Sequence, residues 1–119
     1  MVCAGSYLKV ADNSGGKLAK CIGVFRKKFA GPGDFVVVSI RSVASSLKVS
    51  KGEVHYGVIV RSKKGKVRNC GSWVRFDDNA VVLVNKKGEP IGSRVLGPVA
   101  REVRERGYKK IVSLSMITI

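Results

Sequence analysis

Apolar and polar positions along this chain mostly follow the two-residue period of strands, in short runs punctuated by turn-forming clusters. Tyr7, Leu8, Lys9 and Val10 alternate and predict a short strand, stopped by residues 11–16, which bond their own backbone or accept positive φ. Residues 18–25 predict the next strand, with Leu18, Lys20, Ile22 and Val24 on one face and Ala19, Cys21, Gly23 and Phe25 on the other. Gly31, Pro32, Gly33 and Asp34 signal a turn, with proline presetting φ at the bend. Residues 35–43 are rich in β-branched side chains and long enough for a central strand. Residues 45–51 form a polar link, and residues 53–61 a fourth strand. Residues 73–76 and 80–84 follow as strands joined by a turn at Asp77, Asp78 and Asn79. Short strands at this spacing predict a small closed or nearly closed barrel in a mainly β single domain over residues 1–119.

The carboxyl end changes character. Pro98 suits the first residue of a helix and Gly107 its stop. Between them Val99 and Val103 share a face, and Arg101 with Glu105 and Glu102 with Arg106 are spaced for i,i+4 pairs. From Tyr108 to Leu114 an apolar pattern resumes, broken by Lys109 and Lys110.

Residues 57–83 organise the rest. Two apolar runs flank a glycine-broken segment that carries Lys63, Lys64, Lys66, Arg68 and Arg75, with no acid between Arg61 and Asp77. A β-scaffold that presents such a cationic finger is suited to holding phosphates. Lys17, Lys48 and Lys51 add charge, and Arg26, Lys27 and Lys28 form a second basic cluster beside Phe29, open either to solvent or to RNA. Trp73 and Phe76 are expected to pack in the barrel rather than stack on bases, because large aromatics are seldom exposed.

Charge sharpens this reading. Lys and Arg total 23 against 8 Asp and Glu, a formal net charge of +15 in 119 residues. Self-repulsion of that size favours a polyanionic partner over an unpartnered charged surface. An anionic membrane surface is the weaker alternative, since no basic amphipathic helix of useful length is present. No apolar run approaches the roughly 20 residues that cross a bilayer. The amino terminus has neither the layout of a secretory signal nor the composition of a transit peptide.

Enzyme chemistry finds no foothold. Neither a phosphate-binding loop of the Gly-x-x-x-x-Gly-Lys-Ser/Thr type nor a Gly-x-Gly-x-x-Gly fingerprint occurs. Asp12, Asp34, Asp77, Asp78 and Glu89 fall in turns, where turn-making explains them, although Asp77 and Asp78 could share a cation. His55 is the single histidine and reads as a packed or hydrogen-bonded side chain. Cys3, Cys21 and Cys70 are odd in number and widely spaced, which indicates free thiols in a reducing compartment, with Cys21 as a small buried hydrophobe. No cofactor, metal or small-molecule substrate is expected, zinc needing about four ligands.

Ordered along the chain are Leu8 through Gly15, Gly31-Pro32-Gly33-Asp34, Lys48 through Gly52, Val58 through Gly65, Val74 through Ala80, Pro90 through Val99 and Lys110 through Leu114. In these stretches the chain resembles, almost end to end, the universal L-fourteen family of large-ribosomal-subunit proteins. That family's diagnostic glycine, three aliphatics, Gly, Phe, Asn and Val-Leu fall here on Gly57 to Val60, Gly71, Phe76, Asn79, Val82 and Leu83. Cys70 departs from the Asp, Asn or Ser expected before Gly71, which puts the finger tip in question, because cysteine is poorer at turn bonding.

The resemblance implies a five-stranded β-barrel with a protruding hairpin and a short C-terminal helical region. It implies a structural protein bound to large-subunit ribosomal RNA, at the face that meets the small subunit, where the family contributes to a bridge to small-subunit RNA. Neighbours would be the large-subunit proteins numbered three and nineteen, and a ribosome-silencing factor would dock on Ser93, Arg94 and Lys110. The carboxyl half and the Phe76-Asp77-Asp78-Asn79-Ala80 stretch resemble organellar members, mitochondrial first, with bacterial cytoplasm and plastid as alternatives. A free RNA-binding regulator or chaperone on a similar barrel is the competing function.

Overall fold

The computed structural model describes residues 2–25, 28–44 and 48–119, with the side chains of residues 66 and 67 left undescribed. The strands are β1 (Tyr7–Val10), β2 (Gly16–Val24), β3 (Phe35–Val43), β4 (Val54–Arg61), β5 (Lys66–Val67), β6 (Trp73–Val74) and β7 (Ala80–Val84), followed by helices α1 (Arg101–Glu105) and α2 (Lys109–Leu114). Five of the strands close a barrel in the order β1-β2-β3-β4-β7, while β5 and β6 pair as a separate two-stranded sheet. Neighbours in the barrel run antiparallel except β1 and β7, which close it in parallel through Lys9 opposite Ala80 and Val10 opposite Val81. Five barrel strands with an outlying basic hairpin and a small helical carboxyl region agree with the expected fold.

Alternation along the strands sorts the apolar side chains into two layers. Leu8, Ala19, Cys21, Val36, Val38, Ile40, Ile59, Val81 and Leu83 fill the barrel. Val58, Val60, Ala80, Val82 and Val84 point outwards and are roofed by Val95, Val99, Val103 and Ile111. All five residues of β7 are therefore buried, on both faces. Burying one such aliphatic side chain stabilises by about 1.5–3 kcal/mol, so the carboxyl segment completes the fold.

Three local readings need correction. Strand β2 does not alternate strictly: register shifts lie on either side of Leu18 and between Cys21 and Gly23, and Val24 packs on the barrel core with Ala19 and Cys21. An inserted residue changes the face of everything after it, which strict period-2 counting misses. Pro98 does not open a helix. Val99 and Ala100 stay extended, Val99 exchanging backbone hydrogen bonds with Ile117 and Ile119 (3.0 and 2.9 Å) and Ala100 N donating to Val60 O at 3.0 Å. Helix α1 starts at Arg101 and stops before Gly107, whose φ is +95°. Residues 109–114, read only as an apolar pattern, form α2 because Ile111 is buried against the outer layer. A helix this short is stabilised by packing rather than by propensity.

Several residues read as turn formers also bind distant strands. Asp12 is buried, its Oδ1 accepting from Ser14 N (3.1 Å) and Ser14 Oγ, its Oδ2 from Leu83 N at 3.1 Å, so the turn after β1 also holds β7. Asp34 Oδ2 accepts from Gly31 N at 2.8 Å, while Oδ1 lies 3.2 Å from Arg106 Nη1. Arg106 and Glu102 thus find long-range partners in Asp34 and Arg68. Of the polar link, residues 45–47 lie outside the described residues.

Candidate nucleic-acid interface

The basic finger grows from a fixed root. Strand β4 ends on Arg61, which is only 9% exposed. Its Nε donates to Asp78 Oδ1 at 2.9 Å, and its Nη1 donates to the carbonyls of Leu96 (2.8 Å) and Pro98 (3.1 Å). Gly97 makes room for it: φ is +80°, and a Cβ there would lie 2.5 Å from Arg61 Nη1. Two residues on, Lys63 N donates to Asn79 Oδ1 at 2.7 Å. The backbone that carries Lys63 and Lys64 is therefore pinned to the Asp78–Asn79 turn, while both lysines are exposed.

From that root, β5 and β6 pair through Lys66 opposite Val74 and Val67 opposite Trp73. The tip closes with Arg68 N donating to Ser72 O and Gly71 N donating to Arg68 O, both at 2.9 Å, with Gly71 at φ +86°. Cys70, the departure from the family pattern, is exposed, and its thiol lies 3.2 Å from Ser72 Oγ. Hydrogen bonds from the Ser72 side chain first, then from its backbone, pull this thiol below the usual cysteine range. Burial pushes Cys21 in the opposite direction.

Arg68 has a different place from the other cations. Its side chain is 11% exposed, and its Nη2 donates to Glu102 Oε1 at 2.9 Å and to the Ile119 carbonyl. This arginine ties the hairpin to α1 and the end of the chain. The hairpin has two sides. Val74 and Phe76 line a crevice with Arg68, Ala100 and Glu102, whereas Trp73 and Arg75 are exposed. Trp73 is 64% exposed, which overturns the expectation that it packs in the barrel. Phe76 is half-buried, against the hairpin's inner side rather than inside the barrel. Trp73 and Val74 alternate in β6, so when Val74 faces the covered side Trp73 faces out.

The remaining expected contacts divide into groups. Lys28 is exposed, its Nζ 5.9 Å from the Phe29 ring centroid. Phe29 lines a cleft of about 530 Å³ with Lys63, Lys64 and Asn79. Arg75 lines another, about 540 Å³, with Lys9, Arg61, Asp77 and Asp78. Lys17 is exposed near the start of β2, and Lys51 is exposed in the turn before β4. Lys48 Nζ donates to Ile91 O at 3.0 Å, which brings it to the loop holding Ser93 and Arg94. That loop is latched by Asn13, whose Oδ1 accepts from Ser93 N (2.9 Å) and Arg94 N (3.0 Å) and whose Nδ2 donates to Ser93 Oγ at 2.9 Å. Lys110 faces Glu89 at 3.6 Å. Arg26 and Lys27 lie outside the described residues, as does the Lys66 side chain.

Among the described residues no group of three His, Cys, Asp or Glu side chains could hold a metal, and no helix is long and apolar enough to cross a membrane. Asp78, considered as half of a cation site, meets Arg61 and, at 3.8 Å, Lys9. His55 Nε2 lies 3.3 Å from Glu53 Oε2.

A closed β-barrel with exposed cations at the pinned root of a hairpin is an architecture suited to a polyanionic partner. The whole chain, residues 1–119, matches the family model described as ribosomal protein L14p/L23e. The chain belongs to that family, whose members are structural proteins of the large ribosomal subunit that bind ribosomal RNA and are not enzymes.

Proposed function

We propose that this chain clamps large-subunit ribosomal RNA through phosphates held by Lys63, Lys64 and Arg75, with Lys17, Lys28, Lys48 and Lys51 adding contacts from elsewhere on the surface. The carrying observation is the pinned root. Arg61–Asp78 and Lys63–Asn79 fix the backbone beneath exposed cations, so their charges are presented in place rather than on a free loop. Such contacts orient an RNA without reading its bases, and selectivity comes from the shape of the folded RNA surface. Arg26, Lys27 and Lys66 join this set of proposed RNA contacts on sequence grounds alone.

The loop from Pro90 to Arg94, joined to Lys48 and Asn13, supports a second face at Ser93 and Arg94, with Lys110 beside it. In our reading it meets protein neighbours (the large-subunit proteins numbered three and nineteen), small-subunit RNA across a bridge, and a ribosome-silencing factor. The compartment we infer is the mitochondrial matrix, on the organellar character of residues 76–80, with bacterial cytoplasm and plastid as alternatives.

Sedimentation of a source lysate through sucrose at moderate and high salt tests the assignment. Co-migration with large subunits and whole ribosomes through the high-salt wash is expected. A peak at the top of the gradient would instead make the chain a free RNA-binding regulator.

A further inference from the structure

Trp73 is a large apolar side chain left in water close after Lys63 and Lys64 in the basic segment. Its indole lies on Gly65: a Cβ built there would meet Cζ2, Cε2 and Nε1 at 2.3, 2.4 and 2.6 Å. The ring is therefore seated on the backbone directly after Lys63 and Lys64, yet the residue remains 64% exposed. Phe29, 46% exposed, lines the cleft that Lys63, Lys64 and Asn79 complete. Two exposed aromatic rings thus lie near a lysine pair whose backbone is pinned, Trp73 on the glycine that follows it and Phe29 in its cleft.

We propose that this cluster is a site for unpaired nucleotides of ribosomal RNA, with one base stacked on the Trp73 indole, a second against Phe29, and the linking phosphates on Lys63 and Lys64. The inference rests on the RNA-clamp reading above and adds to it the class of RNA recognised: bases splayed from a loop, bulge or end rather than a duplex. Charge decides the occupant. A basic or neutral protein surface would bring no negative charge to Lys63 and Arg75, whereas a single strand supplies both π-faces and negative charge. Seating the indole on glycine holds one ring face in place before binding, which lowers the ordering cost of a stack. Arg75, exposed just after β6, suits a further phosphate.

Trp73 is the single tryptophan of the chain, so its emission reports this site alone. The full-length protein is titrated with a single-stranded oligoadenosine of about ten nucleotides, an abasic strand of equal charge and a duplex of equal length. Quenching by oligoadenosine and tighter binding of it than of the abasic strand are expected. Trp73→Ala should weaken oligoadenosine binding about tenfold while leaving its salt slope unchanged, and Trp73→Phe should retain most of the affinity. Gly65→Ala displaces the indole without altering charge and should also weaken oligoadenosine binding, with far-ultraviolet circular dichroism reporting the fold. Equal affinity for the abasic strand with unchanged emission overturns the stacking site and leaves the phosphate clamp standing. Preference for the duplex without quenching does the same. Failure of all three probes to bind at low salt overturns the clamp itself, together with the site built on it.

Discussion

Arg61 Nε and Asp78 Oδ1 lie 2.9 Å apart, and this pair joins the end of β4 to the turn that leads into β7. The guanidinium also reaches the carbonyls of Leu96 and Pro98, so one side chain holds both ends of the hairpin segment and the approach to α1. The hairpin's outward charges depend on this inward one.

Arg61→Ala should cost roughly 2–4 kcal/mol, since it leaves Asp78 to a longer contact with Lys9 and removes the donor from two carbonyls that water reaches only partly. Arg61→Lys should recover little, because an ammonium cannot span a carboxylate and two carbonyls as a planar fork does. Gly97→Ala should destabilise by about 1–3 kcal/mol, combining a left-handed backbone with a clash on Nη1. Urea denaturation checks all three as a lowered midpoint at unchanged slope.

Lys63→Ala and Arg75→Ala should each reduce the slope of log K against log salt for ribosomal RNA by about 0.7–0.9, one phosphate's worth. Arg68→Ala should leave the slope unchanged and lower stability, because its guanidinium faces Glu102 and the Ile119 carbonyl. Filter binding across a salt series, beside thermal melts, separates the two classes of arginine. A slope change for Arg68→Ala equal to that of Arg75→Ala would contradict the internal assignment.

The cysteines should alkylate in a fixed order. Cys70 is exposed and its thiol is lowered, so its reaction with iodoacetamide should reach half-maximal rate at a pH below that of an unperturbed cysteine. Ser72→Ala should move that midpoint upward, since the Ser72 hydrogen bonds cause the shift. Cys21 is fully buried and its thiol is raised, so it should label only on unfolding. Mass spectrometry of labelled peptides across a pH series reads both.

Asn13→Ala removes three hydrogen bonds to Ser93 and Arg94. Faster amide exchange at Ser93 and Arg94 is expected, with the barrel amides of β3 and β4 unchanged, because Asn13 is exposed and outside the core. Weakened binding of a partner at this loop without loss of RNA affinity would mark the two faces as separable.

How much of this was written in local pattern is clear from individual elements. Residues 35–43 and 80–84 fold as the strands expected, since β-branched runs bounded by turn signals constrain φ and ψ within a few residues. Gly107 ends a helix at the expected place because a left-handed stop is a property of one residue. The order of motifs from Leu8 to Leu114 carried the family, and the charge imbalance carried the polyanionic partner.

Other features came only from the tertiary structure. Arg68 and Arg75 are alike as letters in a basic run, yet one faces Glu102 and the other faces solvent, because a helix 34 residues further on covers one side of the hairpin. Trp73 was expected inside and stands outside for the same reason, since the covered side of β6 takes Val74. Helix α2 forms where β4 and β7 leave an apolar outer layer that residues far along the chain must roof. Alternation and turn chemistry act over two to four residues, so the sequence by itself determined the strands, the turns and the charge. Which face of each strand is covered depends on segments tens of residues away, and only the closed barrel decided it.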